Sequence, residues 1–86
     1  MAAQKSDIER WFDIGLTIGA RWLIVVCDTF DHDDYPIYIA EDEDFYKEYD
    51  EYDGVNMQRI MEVYDLKMDR DTQFKEGRAH HEPPRK

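Results

Sequence analysis

Ile8, Trp11, Phe12, Gly15 and Ile18 recur at three- and four-residue spacing, the period of a helix with one buried stripe. Ser6 and Glu9 stand at capping-box spacing, where each side chain satisfies an orphan N–H at the helix start. Gly19 is placed to close the element in a left-handed turn. These signals predict a helix over about 7–18. Gly15 weakens such a helix by about 1 kcal/mol relative to Ala, which marks the position as one of close packing.

The pattern then changes. Trp22-Leu23-Ile24-Val25-Val26-Cys27 is apolar without alternation, as in a central strand covered on both faces. Thr29 to Asp34 is polar and turn-like. Tyr35-Pro36-Ile37-Tyr38-Ile39 is extended again, and Pro36, lacking an N–H, assigns it to a sheet edge. The two runs form a hairpin.

Glu41 to Tyr52 reads as a second helix, with Phe45, Tyr49 and Tyr52 on one face and Glu43, Asp44, Asp50 and Glu51 around Lys47 on the other. Asp53-Gly54 stops it. Residues 56–68 fit two patterns. Met57, Ile60, Met61, Tyr64 and Met68 suit a helix capped by Asn56, whereas Val63-Tyr64-Asp65-Leu66 suits a strand. A two-stranded sheet is marginal and its central strand needs a second partner, so the strand reading is adopted, over about 58–66. The expected fold is a small single α+β domain, α-β-β-α-β, its three-stranded antiparallel sheet having the first strand central and packed by two helices. The domain spans 1–72, and 73–86 is expected to be a polar, mobile tail.

An 86-residue chain holds one modest core, burying about 60–65% of its unfolded surface. Twelve aromatics (two Trp, six Tyr, four Phe) argue against wholesale disorder. The single Cys27 cannot form an internal disulfide, and its apolar run assigns it to the core. Trp22–Cys27 is far short of the roughly 20 residues that span a bilayer, and Met1–Lys5 lacks a secretory apolar stretch, so a soluble cytoplasmic protein is expected.

Charge changes the picture most. Residues 28–53 carry 12 Asp or Glu against Lys47, whereas 1–27 balance and 54–86 come to +1, giving −10 in all. A field of this sign excludes direct binding to nucleic acid or to anionic membrane and favours a basic partner. Eight of the acids fall in 41–53; on a helix about 20 Å long that is one charge per roughly 2.5 Å, against about 1.7 Å for B-DNA.

Candidate chemistry is sparse. Asp28 to Asp34 is rich in oxygen ligands but lacks the Gly and the register of an EF-hand, and Asp is an ordinary turn former. Cys27, His32 and nearby Asp residues carry no nucleophile signature, and adjacent His80-His81 defines no zinc site. No enzyme, metal or cofactor is expected. Tyr35, Tyr38 and Tyr46 are harder to bury together, and exposed Tyr is a common interface anchor.

The runs Val26-Cys27-Asp28-Thr29-Phe30-Asp31, Asp34-Tyr35-Pro36 and Met61-Glu62-Val63-Tyr64-Asp65-Leu66 resemble stretches of small uncharacterised phage and bacterial proteins. That likeness covers the middle two thirds of the chain and implies no activity. In size and charge the chain is also similar to phage inhibitors that mimic DNA, including anti-CRISPR proteins, a likeness of composition that transfers no residues. It implies a non-enzymatic inhibitor of a basic nucleic-acid-binding protein or ribonucleoprotein; the charge display itself points to Asp31, Asp33, Asp34, Glu43, Asp44, Asp50 and Glu51 as the partner-binding carboxylates, with Tyr46 as an anchor. A generic interaction or assembly module, acidic for solubility alone, is the alternative.

Overall fold

The computed structural model describes residues 4–30, 33–54, 57–76 and 79–83. Among them the order is α1 (Lys5–Ile18), β1 (Trp22–Asp28), β2 (Asp33–Ile39), α2 (Phe45–Tyr52), β3 (Gln58–Asp65) and α3 (Arg70–Phe74). The sheet is antiparallel in the order β2-β1-β3, so the expected central strand is central and Pro36 lies on the edge strand. Residues 58–65 are strand, which resolves the ambiguous stretch; Asn56, the cap of the helical alternative, lies outside the described residues.

Alternating side chains of β1 feed two cores, one on each face. Leu23 and Val25 pack with Phe12, Tyr64, Leu66 and Ala79 beneath α1 and α3. Ile24 and Val26 pack with Ile39, Phe45 and Val63 beneath α2. This is why the strand's sequence is apolar without a period of two. A bulge opposite Val25 and Val26 makes Met61 the extra residue of β3 and turns it toward the α1 side.

Gly15 is buried because α1 crosses the sheet there: a Cβ would stand 2.8 Å from Leu66 Cδ1 and 3.1 Å from Tyr38 Cε1. Gly19, at φ 78°, ends the helix with the Ala20 N–H donating to Gly15 O at 2.9 Å. The start differs from expectation. Ser6 is already helical, and the Gln4 N–H donates to the Asp7 carboxylate at 3.1 Å, moving the cap two residues upstream. Ile18 is exposed, because one further turn carries it past the sheet.

Two larger corrections concern α2 and the C-terminus. The second helix begins at Phe45, not Glu41, since the Glu43 carboxylate accepts from the Ala40 N–H at 2.8 Å and closes a turn first. The expected domain boundary at 72 falls inside a third helix. Gln73 and Ala79 are fully buried, and residues 79–81 run parallel to β3, with the Val63 N–H donating to Ala79 O at 2.8 Å and the His81 N–H to Val63 O at 3.0 Å. The described residues from 73 to 83 therefore belong to the domain; 84–86 lie outside the described residues.

Gln73 explains why this segment docks. Its amide oxygen accepts from the Asp65 N–H at 2.8 Å and its amide nitrogen donates to Asp65 O at 2.9 Å, so the side chain extends the strand's own hydrogen bonding. Gln73→Ala leaves the buried Asp65 N–H unsatisfied, while Asp65 O keeps the Met68 N–H at 3.1 Å, and should lower unfolding free energy by about 1–3 kcal/mol in urea titration. A midpoint equal to wild type would show that the clamp is energetically idle.

Candidate functional site

The acidic stretch is folded back on itself by β2. Its seven residues, at about 3.3 Å each, separate the two ends of the sheet by about 20 Å. Residues 41–44 lie at the end where β1 begins; Asp28, Asp33 and Asp34 lie at the end where it finishes. The second helix then returns. Phe45 is 5.2 Å from the Trp22 ring, and Tyr52 is 6.4 Å from Tyr35, the cross-strand partner of Val26. Asp50, Glu51 and Asp53 are thereby carried to the hairpin end. The continuous acidic helix expected from sequence is instead two poles.

At the first pole most acids serve local structure. Asp44 caps α2, accepting from the Lys47 N–H at 3.4 Å, and Glu43 holds the preceding turn. Glu41 accepts from Lys67 Nζ at 2.7 Å, and this ammonium holds its carboxyl below the usual range.

The hairpin pole is built differently. Asp28 and Asp33 face each other across the β1–β2 ladder, a register in which like charges disfavour pairing. Asp28 Oδ1 accepts from the Phe30 N–H at 2.9 Å and closes the turn. Glu51 and Asp53 are exposed at the C-terminal end of α2, whose last turn holds no base, so they oppose the helix dipole. β3 brings Arg59 to this pole, opposite Cys27.

Of the eight residues singled out from sequence, Asp33, Asp34, Asp50 and Glu51 gather at the hairpin pole, Glu43 and Asp44 sit at the other, and Asp31 lies outside the described residues, as does His32. Tyr46 is a correction. It is half-buried, its ring meets Phe45 and Tyr49 edge-on, and its hydroxyl donates to Pro83 O, so it packs the C-terminal segment rather than standing free as an anchor. Tyr35 and Tyr38 are likewise half-buried, on opposite faces of the edge strand.

Cys27 is also half-buried rather than enclosed, being the first residue of β1 beyond the core run. Burial pushes its thiol pKa up, and the neighbouring Asp34 carboxylate pushes it further. Less thiolate at a given pH means slower reaction. The native chain should therefore react with a disulfide reagent at pH 8 several-fold more slowly than the urea-unfolded chain; equal rates would place the thiol in open solvent.

A shallow cleft of about 200 Å³ on the α1 side is lined by Lys5, Ile8, Glu62, Tyr64, Phe74 and Glu76. The Tyr64 hydroxyl donates to Glu62 there, and burial foremost, then that carboxylate, raises its pKa far above the ordinary phenol value. The hydroxyl thus stays protonated and serves as a donor in the wall. Among the described residues no group of three or more His, Cys, Asp or Glu is arranged to hold a metal ion, and no helix is long and apolar enough to cross a membrane. A scan against protein-family models matches none, and searches of curated proteins and of solved structures return no match.

Proposed function

We propose that this chain is a cytoplasmic, non-enzymatic inhibitor that imitates nucleic-acid charge and occupies the basic nucleic-acid-binding surface of a defence or DNA-processing protein. A CRISPR effector complex is the partner class, since its channels hold nucleic acid through Lys and Arg contacts to the backbone. The observation that carries this reading is the hairpin pole, where carboxylates stand against their own kind across a ladder and against the negative end of a helix. Carboxylates gathered at one end of the sheet set up a negative field that suits an external basic surface.

A specific observation favours the alternative at the opposite pole. There Glu41, Glu43 and Asp44 are engaged by Lys67 and by backbone N–H groups, as in an acidic module built for stability and solubility.

The test is expression of the chain in bacteria that carry defined CRISPR systems and are challenged with a targeted phage. Restored plaque formation against at least one system is expected, together with displacement of the chain from that purified effector by saturating nucleic acid. Unchanged restriction across the systems removes the CRISPR assignment. A captured partner that nucleic acid does not displace overturns charge mimicry itself.

A further inference from the structure

Among the described residues, the two large apolar side chains most open to solvent adjoin at the hairpin pole. Phe30 is 72% exposed and Met57 63%. Thr29 joins them, donating its backbone N–H to Met57 O at 2.7 Å and its hydroxyl to the same oxygen at 2.6 Å. The Phe30 N–H is fixed on Asp28. Met57 holds φ 63°, a left-handed conformation uncommon for a residue with a side chain. Both backbones are thus pinned while a ring and a thioether face water at the acidic end of the hairpin, beside Asp28.

Surfaces that bind single-stranded nucleic acid combine a basic groove, which follows the phosphates, with aromatic platforms on which bases stack. The hairpin pole presents the complement of both parts: carboxylates where phosphates would lie and a flat ring beside them where a base would lie. A duplex offers no unstacked base, so the ring points to the single-stranded class. Resting on the charge-mimicry reading above, we propose that Phe30, supported by Met57, takes the place of a stacked base, and that the partner's site is a basic, aromatic-lined groove for single-stranded nucleic acid.

Two synthetic dodecapeptides test this on the full chain, one alternating Arg with Trp and the other alternating Arg with Ser. The Arg–Trp peptide should bind about tenfold more tightly, and its amide shift changes should centre on Thr29, Phe30 and Met57. In the Phe30→Ala, Met57→Ala variant the two peptides should bind equally, at the Arg–Ser affinity of wild type. Equal binding to wild type, or shift changes centred on Ile14 and Ile18 of α1, overturns the base-mimic anchor while leaving charge mimicry in place. The shift mapping needs no variant and so decides the matter even if the variant unfolds. If neither peptide shows salt-sensitive binding, the charge-mimicry reading fails as well. Sedimentation showing a dimer that the double substitution dissolves would assign the pair to self-association and overturn the anchor.

Discussion

Val25→Asp is expected to abolish the folded state at neutral pH. Val25 is 1% exposed at the middle of the central strand, packed with Phe12, Leu23 and Tyr64 and flanked by Pro36 and Glu62 on the neighbouring strands. Among the described residues of this core an ionised carboxylate meets no cation, and Glu62 adds a like charge across the ladder. Burying an unpaired charge ranks among the substitutions that cost more than about 4–5 kcal/mol. At about 0.05–0.15 kcal/mol per residue, a chain of this length has roughly 4–13 kcal/mol in hand. Far-UV circular dichroism at 25 °C should therefore show loss of the native signal and no cooperative melt. A melt close to wild type would remove Val25 from the core.

The second large effect separates function from stability by sign. Asp33→Lys, Glu51→Lys and Asp53→Lys together add two charges each, taking the net charge from −10 to −4. If the acids supported the fold, their reversal would lower stability. The geometry predicts the reverse. Lys at 51 and 53 complements the negative end of α2, worth about 0.3–1 kcal/mol each, and Lys at 33 turns a like-charge opposition with Asp28 into an attractive one, worth about 0.2–1 kcal/mol. The triple variant should melt at or above the wild-type temperature, yet lose binding to the basic partner by a hundredfold or more at low salt, about 3 kcal/mol. Retained affinity in a folded triple variant would reduce the acidity of this pole to solvation.

The fold was legible where one signal dominated. The unbroken apolar run of 22–27 could only be a strand covered twice, and Pro36 could only sit at an edge. Gly15 was readable as a close approach because nothing else justifies glycine in a helical stripe. What escaped was decided by polar side chains bonding to distant backbone. Gln73 looks like part of a polar tail, and only the buried backbone N–H and C=O of Asp65, eight residues earlier, make it a core residue. The start of α2 escaped for a related reason: both acids suit the first turn of a helix, yet Glu43 closes the turn before α2 and Asp44 is its N-cap. Of the candidate surface, sequence located the carboxylates but not their division, because the distance that β2 places between them is a property of three dimensions. Phe30 drew no notice in a polar turn, although a lone aromatic among acids is the pattern to look for.

The segment after α3 has a further role in solution behaviour. An open strand edge offers a row of unpaired amide and carbonyl groups to any passing chain, the route to runaway intermolecular pairing. This sheet guards its two margins by different means. On β2 the guard is internal, a proline and neighbouring acids. On β3 it is the short run from Ala79 to His81, which occupies Val63 on both its N–H and its C=O. Shortening the chain before Ala79 would therefore do more than trim a terminus: it would strip the cover from a margin rich in Ile, Val and Tyr, and leave colloidal stability to the repulsion between highly charged molecules.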